Sequence, residues 1–143
     1  GEGDGTEGEI GDAVNADSAK HNYQEYAMTL EQEMSLIPNL REVGLALVQF
    51  TRALCPGEFE KANREWVYRP MNFVSIGIQY RRAKSITLSL YANWLTFEDD
   101  PNLRLSHGRS PSYRRCIITT ARQLAASACY IEQAYSQWHS NHK

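Results

Sequence analysis

The spacing of apolar and polar positions changes period twice along this chain. Tyr23, Tyr26, Ala27, Leu30, Met34 and Ile37 recur at helical intervals, with Gln24, Glu25, Glu31 and Glu33 elsewhere. That pattern predicts a first helix beginning near His21 and ended by Pro38. Asn39, with Glu42 three residues on, has the form of a capping box that opens a second helix. Leu40, Val43, Leu47, Phe50 and Leu54 make its stripe, Ala46 and Val48 widen it, and Cys55-Pro56-Gly57 stops it.

A period of two then takes over. In residues 72–80, Val74, Ile76, Ile78 and Tyr80 alternate with Ser75, Gly77 and Gln79. In residues 85–94, Ile86, Leu88, Leu90, Ala92 and Trp94 alternate with Thr87, Ser89, Tyr91 and Asn93. Both read as half-buried strands. The short connection Arg81-Arg82-Ala83-Lys84 makes them an antiparallel hairpin with a basic tip. Glu65–Arg69 reads as a shorter preceding strand, and Gly77 as a bulge or a close approach of another backbone. Residues 97–111, with Pro101, Gly108 and Pro111, read as a loop, and residues 113–119 as the last strand.

Thr120 and Gln123 have capping-box spacing before Leu124, Ala128, Ile131, Tyr135 and Trp138, the stripe of a closing helix. The polar end from Trp138 through Lys143 is expected to fray. The expected fold is α+β: two N-terminal helices, an antiparallel sheet of about four strands and a C-terminal amphipathic helix, with the helices on one face of the sheet.

Composition adds a boundary to this picture. Ile10 and Val14 are the only large apolar residues among positions 1–20. Such a segment cannot bury enough surface to offset its ordering entropy, so it is expected to be a disordered acidic tail or linker. Residues 21–143 are expected to form a single domain. Charge divides at the same place. Positions 1–20 hold Glu2, Asp4, Glu7, Glu9, Asp12 and Asp17 against Lys20, a net of −5; with −2 for the whole chain, residues 21–143 carry +3. A mildly basic domain is compatible with nucleic acid or an acidic partner.

Cys55, Cys116 and Cys129 are odd in number, widely spaced and flanked by apolar residues. That argues against a disulfide framework or a zinc site and for buried free thiols in a reducing, cytoplasmic compartment. No apolar run approaches the length of a membrane span, so no membrane partner is expected.

The order of features resembles a bacterial and archaeal family of domains of unknown function that carries the label "predicted transport protein". The likeness covers roughly residues 24–138. It lies in a two-helix start, then Trp66-Val67-Tyr68-Arg69, Asn72-Phe73-Val74-Ser75-Ile76 and Ile86-Thr87-Leu88-Ser89-Leu90. It continues in Asp99-Asp100-Pro101, His107-Gly108 and a closing helix with Leu124 and Tyr130-Ile131-Glu132-Gln133-Ala134-Tyr135. Where that family often has an aromatic-Gly, small and acidic run after its His-Gly, this chain has the basic Arg109-Ser110-Pro111-Ser112-Tyr113. The resemblance implies a domain found C-terminal to restriction-endonuclease-like or DNA-modification-related parts. It brings no catalytic residues to carry over.

Candidate chemistry follows from the basic positions. Arg81, Arg82 and Lys84 on the hairpin tip, Arg104 and Arg109 in the loop, and Arg114 and Arg115 on the last strand lie among Tyr80, Tyr91 and Tyr113. A loop folded over the hairpin would gather them into one surface, with phosphates on the guanidinium forks and bases stacked on the rings. The competing expectation is that these arginines guard strand edges and that Tyr80 belongs to the core. His107 beside Glu98, Asp99 and Asp100 suggests acid–base or metal chemistry, but adjacent carboxylates in a loop are commonly turn chemistry. His139 and His142, a pair near the end of the closing helix, make a poor metal site. Trp94, Tyr135 and Trp138 are expected in the core.

No catalytic, metal or cofactor residue is therefore named. The expected function is a non-enzymatic accessory domain that binds DNA or RNA through Arg81, Arg82, Lys84, Arg109, Arg114 and Arg115, attached to a nuclease-type, restriction-modification or defence-system protein. The alternative is a protein–protein interaction module packing on another domain of its parent chain.

Overall fold

The structure, a computed structural model, describes residues 28–92 and 98–142. The segment 1–20, the first turns expected from His21 to Ala27, and Trp94 lie outside those residues. In chain order the elements are α1 (Leu30–Met34), α2 (Arg41–Leu54), β1 (Glu58–Ala62), β2 (Glu65–Arg69), β3 (Val74–Gln79), β4 (Ser85–Tyr91), β5 (Ser106–His107), β6 (Tyr113–Ile118), a 3-10 turn (Ala121–Gln123) and α3 (Leu124–Asn141). The strands form one six-stranded sheet ordered β1-β2-β3-β4-β6-β5, every pairing antiparallel. The α+β class holds, but the sheet has six strands where about four were expected.

The two extra strands lie at the edges. β1 contains one large apolar residue, Phe59, between glutamates, and so shows no alternation. It is held by the turn at Asn63, whose φ of 59° is the left-handed conformation that asparagine tolerates. β5 is two exposed residues paired with Arg114 and Arg115. Edge strands of this kind are specified by their partners, not by a buried face of their own.

The helices start at different places from those expected. Thr29 is extended, its hydroxyl accepts from the Gln32 amide at 3.1 Å, and the Gln32 side chain accepts from the Thr29 amide at 2.9 Å. This capping box begins α1 at Leu30, so a helix running unbroken from His21 is excluded. α1 ends at Met34, before Pro38. Asn39 does not cap α2. Leu40 occupies that position with no side-chain hydrogen bond. Ile37 and Leu40 are both buried, and successive turns from Glu33 to Leu40 draw them inward. Burial of Leu40, not a cap, sets where α2 starts.

The Thr120–Gln123 capping box is present, with a single 3-10 turn before α3. α3 buries Ala126, Ser127, Tyr130, Ile131 and Ala134, so the expected stripe is one flank of the face that packs. α3 also runs to Asn141 instead of fraying at Trp138. His142 stacks on Trp138 with ring centroids 3.9 Å apart, and Asn141 Nδ2 donates to the Tyr91 hydroxyl at 3.0 Å.

Strand register separates the two faces of the sheet. Phe59, Trp66, Tyr68, Val74, Ile76, Ile78, Ile86, Leu88, Leu90, Cys116 and Ile118 share one face. All but the half-buried Ile78 are buried, in a single core with α1, α2 and α3. α1 packs closely on α2 at Gly44, where an added Cβ would meet the Met34 thioether and the methionine would have to shift. Ala62, Glu65, Gly77, Thr87 and Ile117 lie in one row on the opposite, more open face, and at the far end of that face Tyr91 packs on Trp138 and His142. Gly77 is not at a bulge. Its register is continuous and an added Cβ would meet Thr87 at an ordinary 3.7 Å.

One buried polar cluster ties α1 to the sheet. The Glu33 carboxylate, 4% exposed, accepts from Trp66 Nε1 at 2.6 Å and from Lys61 Nζ at 2.8 and 3.0 Å. Lys61 also lies 5.2 Å from the centre of the Trp66 ring. A buried carboxylate survives because charge-assisted donors surround it.

Candidate nucleic-acid interface

The register fixes which basic residues share a region. The β1–β2 turn follows Ala62, which pairs with Glu65; Glu65 pairs with Gly77, Gly77 with Thr87, and Thr87 with Ile117. Beyond this row, at one end of the sheet, lie the β1–β2 turn with Arg64, the β3–β4 tip with Arg81, Arg82 and Lys84, and the turn after β6 with Arg122. All five are exposed. With strands about 4.8 Å apart, the three turns span roughly 17 Å across the sheet end, and the hairpin tip projects about 7 Å past its neighbour.

The tip has internal order. The Arg81 amide donates to the Gln79 side-chain oxygen at 3.0 Å, and the Arg81 guanidinium lies 5.6 Å from the Tyr80 ring centre. Tyr80 is half-buried against the core, as its place in the alternation predicted. Among the described residues, Arg64, Arg82, Lys84 and Arg122 form no salt bridge. Arg64 and Arg122 were not among the residues proposed from sequence. Each stands alone between non-basic neighbours, so only the pairing of distant strands reveals them.

Of the remaining sequence candidates, Arg114 and Arg115 are placed elsewhere. Arg114 pairs with Leu90 and Arg115 with Ser89, toward the opposite end of the sheet from the hairpin tip. They point to opposite faces: Arg114 is half-buried on the helix-covered face and Arg115 is exposed on the open one. Strand alternation applied to these adjacent positions already implied that split. Arg109 reaches Glu65 of β2 at 3.5 Å, so the connection after β5 leans over the open face. Gly108 suits that path, because a Cβ there would lie 2.5 Å from the Tyr113 carbonyl. Arg104 pairs with Asp99 at 3.6 Å.

Tyr91 and Tyr113 do not join the basic tip. They are cross-strand partners at the far end, with ring centroids 5.7 Å apart. Tyr113 donates to the Asn72 carbonyl at 2.7 Å, and burial raises its phenol above the ordinary tyrosine value. Tyr91 also packs on Trp138 and His142, and Tyr135 on Phe73 and His139. Trp138 and Tyr135 are half-buried against the core, and both imidazoles of the closing helix lie on aromatic rings.

The acidic loop is built as turn structure. Asp100 Oδ1 accepts from the Asn102 amide at 2.8 Å, and Asp99 Oδ1 from the Leu105 amide at 2.9 Å. The Tyr130 hydroxyl donates to the Leu103 carbonyl at 2.6 Å and accepts from the Asp100 amide at 2.5 Å. His107 is exposed in β5, opposite Arg114. Among the described residues no group of three or more His, Cys, Asp or Glu is placed to hold a metal ion. Cys55 and Cys116 are buried free thiols, and burial pushes Cys116 up to about 12. Cys129 departs from expectation and is exposed, because it lies off the packed face of α3. No helix among the described residues is long and apolar enough to cross a membrane. No family model, no curated protein and no solved structure matches the chain.

Proposed function

We propose that this domain is a non-enzymatic nucleic-acid-binding accessory module whose contact surface is the basic end of the sheet. The observation that carries the reading is the convergence of Arg64, Arg81, Arg82, Lys84 and Arg122 on three adjacent turns. A row of exposed cations is what phosphate contact needs, and such contacts supply affinity without sequence choice. Attachment to a nuclease-type, restriction-modification or defence protein is the context that the family resemblance suggests. Arg114 and Arg115 lie toward the opposite end of the sheet, whereas Arg109 reaches Glu65, the neighbour of Arg64.

Fluorescence anisotropy with labelled single- and double-stranded DNA and RNA tests the reading. Five phosphate contacts give a slope of log K against log salt of about −3.5 for single strands and −4.5 for duplex, so affinity falls roughly a hundredfold or more between about 50 and 200 mM salt. Arg81→Glu with Arg82→Glu flattens that slope by about two contacts. Absence of binding near 50 mM salt refutes the proposal.

A second reading, a module that packs on another domain of its parent chain, draws on the open sheet face. There Ile117 is 50% exposed, in register with Thr87 and Gly77. A partner captured there would bind with little dependence on salt.

A further inference from the structure

We propose that the chain's own acidic segment, residues 1–20, docks electrostatically on the basic end of the sheet and competes there with nucleic acid. The competition rests on the reading above, but the docking has its own evidence. The segment carries a formal −5 and the rest of the chain +3. Five exposed cations that could receive it, Arg64, Arg81, Arg82, Lys84 and Arg122, are gathered on three adjacent turns.

Reach permits the contact. The segment joins the fold at Met28, just before α1, which Glu33 fastens to Lys61 of β1 and Trp66 of β2. Seven residues separate Lys20 from Met28, and the eight steps between them extend to about 26–29 Å. The sheet is about 24 Å tall along the seven residues of β4. No part of the basic end is beyond the tether. A short tether also holds the six carboxylates at an effective concentration in the millimolar range, enough for a weak polyanion to compete with a bound phosphate chain.

Charge alone decides the interaction, so neutralising the acids while keeping the chain length isolates it. The variant is the full chain with Glu2→Gln, Asp4→Asn, Glu7→Gln, Glu9→Gln, Asp12→Asn and Asp17→Asn. Near 50 mM salt this chain binds a labelled oligo(dT) roughly two- to tenfold more tightly than the unmodified chain, and the difference closes at higher salt. Equal affinity near 50 mM salt overturns the competition. Amide chemical shifts of Arg64, Arg82, Ala83, Lys84 and Arg122, measured with no oligonucleotide, report the docking itself. They differ between the two chains at low salt and converge at high salt; identical shifts at low salt overturn the docking. If the shifts differ but oligo(dT), duplex DNA and RNA bind neither chain, docking stands and the nucleic-acid reading falls.

Discussion

Removing one oxygen, in Tyr130→Phe, tests how the long connection between β4 and β6 is held. Tyr130 is 1% exposed, and its hydroxyl is the donor to the Leu103 carbonyl and the acceptor for the Asp100 amide. The ring of Phe fills the same space, so the loss is confined to hydrogen bonds. Leu103 is 3% exposed, and leaving its carbonyl without that donor costs about 1–3 kcal/mol. Asp100 is half-buried, so water recovers part of its bond and the net loss there is about 0.5–1.5 kcal/mol.

The variant should therefore lose roughly 2–4 kcal/mol, a large share of the ~5–15 kcal/mol typical of a domain. Urea denaturation followed by tryptophan fluorescence should show the midpoint falling by about 1–2 M, with the slope unchanged. Amide exchange at Asp100 should quicken as well. A midpoint shift below about 0.3 M together with unchanged exchange would refute the assignment of Tyr130 as the anchor of this loop. Alkaline behaviour gives a second check. Burial, chiefly, pushes the phenol from 10.0 up to about 12, with Asp99 adding to the rise and the Asp100 amide opposing it. The folded value lies above the unfolded one. Its contribution is thus complete below about pH 10 and lost as pH rises through about 12. Cys116 titrates in the same window, so the comparison must be between the unmodified chain and Tyr130→Phe.

Three other outcomes follow from the packing. Gly57→Ala brings a Cβ to 2.5 Å from the Arg69 carbonyl and 2.7 Å from the Tyr68 ring, so it should destabilise by about 1–3 kcal/mol in thermal or urea unfolding. Gly77→Ala, with nothing nearer than 3.7 Å, should change stability by no more than about 0.5 kcal/mol, and the contrast between the two is the test. Glu33→Ala strips the carboxylate from Trp66 Nε1 and Lys61 Nζ and should cost about 3–5 kcal/mol, with a shift in tryptophan emission. A loss under about 1 kcal/mol would show that Lys61 and Trp66 find other partners.

Much of the fold was legible in the chain. The alternation in β3 and β4, the antiparallel hairpin they form, the span of β2 and the Thr120–Gln123 box all follow from local spacing, and each appears in the structure, with Tyr80 falling in a five-residue tip instead of the expected four. These features are decided within a few residues by side-chain period and backbone capping, which sequence displays directly. The net −5 of residues 1–20 against the +3 of the remainder is likewise a property of the sequence.

Other features depended on contacts that spacing does not encode. β1 and β5 exist because β2 and β6 supply their hydrogen bonds, not because they carry a pattern. α2 starts where Leu40 is pulled into the core, overriding a plausible cap at Asn39. The basic residues show the same division most sharply. Neighbours in sequence, Arg114 and Arg115, are turned to opposite faces by the strand pleat. Arg64, Arg81, Arg82, Lys84 and Arg122, spread over almost sixty residues, are collected at one end by antiparallel pairing. Sequence alone determined the number of charges and the local elements; the order and register of the strands decided which charges meet, because a surface is assembled from turns that only sheet pairing brings side by side.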